Sequence, residues 1–302
     1  MDLSVDVGGF VVKNPVIAAS GVLGYGEEYA RVGNIDWFGA VTVKGTTLRP
    51  RHGNCPPRIW ETHSGLLNSI GLQNPGVDEV ITHYLPQLAQ FDVPIIVNIS
   101  GETYEEFQEI AKKLADCPHV TALEVNVSCP NVESGGMAFG TDPGSCYRAT
   151  RAVRRNWPGP LIVKLTPNVT NISEMAKAAV DAGATCVSLI NTLLGMAIDI
   201  QNKRPALGNI KGGLSGPAVK PVAVRCVWEV FQSVSVPVIG MGGVFSWEDA
   251  LEFIMAGASA VALGTAVLVD PYAPKKIVDG IQSYCESNGI DSMSSIVGIA
   301  QV

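Results

Sequence analysis

Three hundred and two residues, 47% of them hydrophobic and 16% charged, exclude a disordered chain and a coiled coil and leave ample apolar mass for a large core. Twenty-one basic residues against 28 acidic ones give a net charge of −7, which argues against a protein held on nucleic acid by its phosphates. Seven cysteines without C-x-x-C spacing and four scattered histidines argue against structural zinc and a disulfide framework, and for a reducing cytoplasm.

The opening MDLSVDVGGF has neither the basic nor the apolar stretch that directs export. Leu3–Val12 reads as a small hairpin. β-rich runs then recur at Pro15–Gly21, Gly39–Thr46, Val93–Ser100, Ala122–Ser128, Pro160–Pro167, Thr185–Thr192, Val236–Gly242 and Ala258–Thr265. Helical segments are predicted at Thr103–Asp116, Pro143–Asn156, Asn171–Ala182, Ala218–Ser233 and Ser246–Ala256. Thr103, Asn171 and Ser246 stand as caps ahead of acidic first turns. The uncharged stretch Phe253–Val269 is interrupted by Gly257, Ser259, Gly264 and Thr265, so it reads as a helix end and a buried strand rather than a membrane span. Eight strand–helix units without a linker predict one (β/α)8 TIM barrel over residues 1–302, in preference to a doubly wound sheet. The opening hairpin would close the bottom of that barrel. Thr47–Gly76 and Leu193–Pro217 are rich in Gly and Pro and too long for plain connections. Each comes after a strand, which places it as an insertion on the C-terminal face, where barrel enzymes keep their sites.

Strand parity points to the chemistry. In VTVKG, PIIVNIS, LEVNVS and LIVKLT, the residues Lys44, Asn98, Asn126 and Lys164 fall opposite the apolar set that packs on helices. They therefore face inward near the strand tops. Burying two ammoniums and two amides costs several kcal/mol, roughly, unless partners compensate. A polar, anionic or heteroaromatic ligand would supply them; the competing reading is an internal network of Lys and Glu124. Gly242 and Gly243 in GMGGV, with Thr265 in LGTAV, come after the last two strands, where barrels often build a phosphate site. No G-x-G-x-x-G stands between a strand and a helix, which favours a mononucleotide cofactor. Cys129, just past a strand top on a loop with Gly135, Gly136 and Gly140, suits proton transfer, since a thiol titrates near pH 8.5, about the range an acid/base needs. The other six cysteines are assigned to packing or surface. Asn68 and Gln73 in NSIGLQNPG, with Asn131 and Asn191, offer carboxamides to a planar ligand with imide edges, while Asn74 before Pro75 reads as a turn residue.

Together VKGTT, NSIGLQNPG, VNVSCPN, SGGMAFG, IVKLTPN, INT, GMGGV and LGTA resemble the dihydroorotate dehydrogenase family, in family order and over nearly the whole chain. The resemblance implies an FMN-containing barrel that oxidises dihydroorotate to orotate in pyrimidine biosynthesis. It implies FMN contacts at Ser20, Lys44, Gly45, Asn98, Asn126, Lys164, Ile190, Gly216, Gly242, Gly243, Gly264 and Thr265. Substrate contacts would come from Lys44, Asn68, Ser69, Ile70, Gly71, Leu72, Asn126, Asn191 and Thr192. Cys129 would be the base at C5, with Lys164 stabilising charge gained by the flavin and the glycine-rich loop closing as a lid. VESGGMAFG resembles the NAD-linked class 1B rather than the fumarate-linked class 1A, and a serine base with a membrane helix, as in the quinone-using class, is not matched. Class 1B implies a partner subunit, an iron–sulfur flavoprotein carrying FAD and a [2Fe–2S] cluster, in a heterotetramer around a homodimer core. The alternatives are a dihydrouracil-type dihydropyrimidine dehydrogenase subunit, class 1A, and a non-catalytic phosphometabolite-binding barrel. A metal-dependent aldolase is disfavoured for want of a His/carboxylate ligand set.

Overall fold

The computed structural model describes residues 2–128, 130–131 and 137–302. Eight parallel strands close into a barrel in chain order: β1 (Val16–Ala18), β2 (Ala40–Thr46), β3 (Ile95–Ile99), β4 (Ala122–Asn126), β5 (Leu161–Lys164), β6 (Cys186–Leu189), β7 (Val238–Met241) and β8 (Ala260–Leu263). Each lies within one of the eight expected runs. The parity reading holds as well. Glu124 on β4 hydrogen-bonds Ser188 on β6, two strands away, which only an inward-pointing side chain can do. Leu123, Val125 and Val127, its opposite set, are buried in the apolar core.

Helices at Tyr104–Ala115, Pro143–Arg154, Ile172–Asp181, Lys220–Phe231 and Trp247–Ala256 match the predicted five. Their starts come from capping chemistry. The Thr103 hydroxyl accepts from Glu106 N–H at 3.2 Å, the Asn171 carbonyl from Ser173 N–H at 3.1 Å, and Ser246 forms a reciprocal capping box with Asp249. Helical turns at Val77–Leu88 and helices Thr265–Val269 and Ala273–Ser287 were not expected. The last of these buries Ile277, Ile281 and Cys285, one residue per turn of a single face. Among the described residues, no helix is long and apolar enough to cross a membrane.

The opening hairpin pairs Val5–Asp6 with Val11–Val12. Gly8 at its tip has φ +92°, and a Cβ there would run into the Thr185 carbonyl just ahead of β6, so the hairpin sits under the N-terminal end of the barrel. Gly8→Ala is expected to cost about 1–3 kcal/mol through backbone strain and that collision. Chemical denaturation measures it; a loss below about 0.5 kcal/mol, the scale of an ordinary surface change, would mean the hairpin is not seated there.

The two long insertions are not mere loops. They supply Ile59–Thr62, Gly65–Asn68, Leu193–Gly195 and Gly212–Ser215, which pair into one antiparallel four-stranded sheet. The middle pair, Gly65–Asn68 with Gly212–Ser215, joins the insertion after β2 to the insertion after β6.

Candidate active site

Inside the barrel, Asn98 lies opposite Glu124 in the β3–β4 register and donates to it from Nδ2 at 2.6 Å. Ser188 donates to the other carboxylate oxygen at 2.7 Å. Lys164 is only 6% exposed, and its ammonium donates to the Ser20 hydroxyl at 3.2 Å, its one hydrogen bond among the described residues. The internal network weighed from sequence thus exists around Glu124, but its donors are an amide and a hydroxyl, not a lysine. An ammonium has three donors, so Lys164 keeps two for a ligand.

Carboxamides line the rim above. Asn126 Nδ2 donates to Ser100 Oγ at 3.3 Å, and its carbonyl accepts from Ser128 N–H at 3.1 Å and from Asn191 Nδ2 at 3.3 Å. Asn191 Nδ2 also donates to Ser128 Oγ at 2.8 Å, while its carbonyl accepts from Thr192 N–H at 2.8 Å. Asn68 sits in the inserted sheet with Nδ2 on the Gly213 carbonyl at 3.3 Å. Ser69 is held by Asn54 Nδ2 at 2.8 Å, and Gly71 has φ +74° with no room for a Cβ against Asn54. Leu72, at φ +54°, brings its side chain beside Gly45: a Cβ there would stand 3.2 Å from Leu72 and 3.1 Å from Asn98 Oδ1. The segment from Asn68 to Leu72 therefore reaches the mouth where Lys44, Gly45 and Asn98 end β2 and β3.

Burial lowers the pKa of Lys44; the nearby Glu28 carboxylate offsets part of this and Arg58 adds to it. Arg58 was not singled out from sequence. It ties the first insertion together through the carbonyls of Asn54 and His52 and through Gln73 Oε1 at 2.6 Å. Gln73, expected as a ligand amide, is thus engaged by Arg58 instead. Asn74 serves its turn, with Nδ2 on the Leu72 carbonyl at 2.7 Å and Oδ1 accepting from Gly76 N–H at 2.9 Å. Asn168 was also missed, although the motif IVKLTPN contains it. It bridges Thr166, the Thr192 carbonyl and Leu194 N–H, fastening the second insertion to β5.

The glycines after β7 and β8 form a cradle. Gly242 and Gly243 have φ of +120° and +85°, and a Cβ on either would press on Ile190 and Ala223 or on Lys220 and the Gly216 carbonyl. Ile190, reached through a cis Leu189–Ile190 peptide, donates its N–H to the Met241 carbonyl at 2.9 Å. Gly264 stands at the N-terminal end of helix Thr265–Val269, and a Cβ on it would meet nothing within 4 Å. Thr265 Oγ1 donates to Ser215 Oγ at 2.8 Å, which turns toward the cradle a hydroxyl from the inserted sheet that sequence did not indicate.

These residues fit the flavin mononucleotide that the resemblance implies. Asn98 Oδ1 is a buried acceptor with no partner, Lys164 has donors to spare, and the glycine cradle leaves open space at Gly264 for a phosphate. Cys129 lies outside the described residues, and so do residues 132–136 of the glycine-rich loop around it that was expected to close as a lid. Of the other cysteines, Cys117, Cys146, Cys186, Cys226 and Cys285 are buried and Cys55 is exposed. Burial pushes the Cys146 thiol up to about 12, out of the range of acid–base work near neutrality.

A family model described as dihydroorotate dehydrogenase matches residues 2–285. A relative from Geotalea uraniireducens, named dihydroorotate dehydrogenase B (NAD(+)), catalytic subunit, is 54% identical over 297 residues, covering 98% of this chain and 97% of its own. A relative of the same name from Desulforamulus reducens is 52% identical over 302 residues, covering 100% of this chain and 99% of its own. Among solved structures, that of DHODH from Eimeria tenella in complex with ferulenol superposes with a TM-score of 0.83 at 22% identity, covering 99% of this chain and 88% of that one. At that identity the likeness is one of fold.

Proposed function

The chain belongs to the dihydroorotate dehydrogenase family, and on that premise we propose that it is the FMN-binding catalytic subunit of an NAD-linked dihydroorotate dehydrogenase, oxidising dihydroorotate to orotate in pyrimidine biosynthesis. The observation that carries the reading is the buried Lys164 ammonium with two uncommitted donors beneath a rim of carboxamides.

When bound, FMN supplies the two-electron acceptor for the hydrogen that leaves C6 of the substrate. Cys129 Sγ takes the proton from C5. Asn68 through Leu72, Asn126, Asn191 and Thr192 present amide donors and acceptors to the imide edge, and Lys44 presents its ammonium to the carboxylate. Ser20, Gly45, Asn98, Ile190 and Lys164 hold the ring system, with Gly216, Gly242, Gly243, Gly264 and Thr265 around the phosphate. The ammonium of Lys164 sits where added negative charge needs it, in surroundings that screen little.

The relatives' name, catalytic subunit, supports a second chain that passes electrons to NAD. We assign to that chain the FAD and the [2Fe–2S] cluster, in a cytoplasmic heterotetramer of two copies of each around a homodimer of this one. Anaerobic addition of dihydroorotate to the FMN-loaded chain should bleach the flavin, and dihydrouracil should not. Bleaching by dihydrouracil alone would move the chain to dihydropyrimidine oxidation, and a chain that takes up no FMN would leave a binding barrel.

A further inference from the structure

Glu124 is a carboxylate only 3% exposed in the middle of the barrel, and no step of the proposed reaction uses it. Both its oxygens are engaged, Oε2 by Asn98 Nδ2 at 2.6 Å and Oε1 by Ser188 Oγ at 2.7 Å. A carboxylate offers acceptors only. An asparagine amide facing it must present the NH2 group and turn its carbonyl the other way. Asn98 does so: its Oδ1 stands by Gly45 at the mouth, buried, with no hydrogen-bond partner. A buried acceptor left unpaired is costly, so the orientation calls for a donor from a ligand.

We propose that Glu124 is a positioning residue that locks the Asn98 amide with its carbonyl toward the mouth, where it accepts a hydrogen bond from the ring N–H of the bound flavin. The proposal rests on the reading of the site as an FMN site. Oxidised isoalloxazine carries one ring N–H, at N3, and that is the donor the orphaned Oδ1 matches. Ser188 holds the second carboxylate oxygen, so Glu124 cannot rotate away without leaving a buried hydroxyl unpaired.

Glu124→Gln tests it, because glutamine has nearly the same shape but also donates. Asn98 can then turn over and set its NH2 group against the flavin N–H. Apoprotein carrying Glu124→Gln should bind FMN about 10- to 100-fold more weakly, read by quenching of flavin fluorescence. Adding Asn98→Asp restores the polarity: glutamine donates to one oxygen of the new carboxylate, and the other faces the ligand. The double variant should recover most of the lost affinity, which a merely structural role for Glu124 would not produce. Unchanged FMN affinity in Glu124→Gln, or additive losses in the double variant, would overturn the proposal. The wild-type chain provides a test that no folding defect can obscure. 3-Methyl-FMN, which lacks the N3 proton, should bind about tenfold more weakly than FMN, and equal affinity would overturn the positioning role while leaving the FMN site standing. A wild-type apoprotein that binds no FMN at all would instead remove the site on which the proposal rests.

Discussion

Cys129→Ala is expected to keep bound FMN and to lose turnover by about 10²–10⁴-fold, the contribution that proton transfer by a positioned side chain usually makes. The chain on either side of Cys129 is anchored to the rim. Ser128, immediately before it, accepts from Asn191 Nδ2 at 2.8 Å, and Gly140 N–H donates back to the Val127 carbonyl at 2.7 Å. Ser128 and Gly140, described on either side, thus both lie at the top of β4, beside the carboxamides assigned to the substrate. The wild-type rate should climb with pH as the thiolate forms, because the thiolate is the form that accepts the proton. Cys129→Ser, with a far less acidic hydroxyl, should regain activity only at higher pH. Stopped-flow reduction of the flavin by dihydroorotate separates this step from later electron transfer. A near-normal rate for Cys129→Ala would remove the residue from the mechanism.

Lys164→Ala is expected to slow flavin reduction by about 10²–10³-fold, the usual loss on removal of one preorganised donor to developing charge, and to lower the flavin content of the purified chain. The magnitude reflects burial. Lys164 is 6% exposed, and Ser20 takes one of its three donors. A neutral water in its place would bring no charge to stabilise the reduced flavin. The flavin midpoint potential provides a second readout and should become more negative, because the reduced, more negatively charged form loses its stabilising cation. Wild-type flavin content together with a wild-type potential would show that the ammonium serves the barrel rather than the ligand.

How much of this was legible in the sequence depended on the range of the interaction responsible. The eight barrel strands were legible as short β-rich runs of aliphatics, and in LEVN inward polar residues alternate with branched ones. The helix starts were legible because Thr103, Asn171 and Ser246 cap through bonds two or three residues ahead. The inserted sheet was not, since Gly65–Asn68 finds its partner about 145 residues further along, and GLLN and GGLS are too short to show a strand period. Parity placed Asn98, Glu124 and Lys164 inside the barrel. It could not say that Glu124 would bond Ser188, because inter-strand stagger decides which inward residues meet. Arg58 and Asn168 escaped for a related reason. Their partners are mostly backbone carbonyls and N–H groups of folded insertions, which leave no mark in residue type.

The sheet that joins the two insertions also bears on synthesis. Asn68 is seated by Gly213, and Leu66 and Leu67 pair with Ser215 and Leu214, so the wall expected to hold dihydroorotate has no second half until residues 212–215 exist. A nascent chain emerging from the ribosome can lay down the first six barrel strands and still have nowhere to seat its substrate. Binding competence is therefore a late event in biogenesis, and a truncated product ending before Gly212 would lack the closing half of that wall however well its early strands had formed.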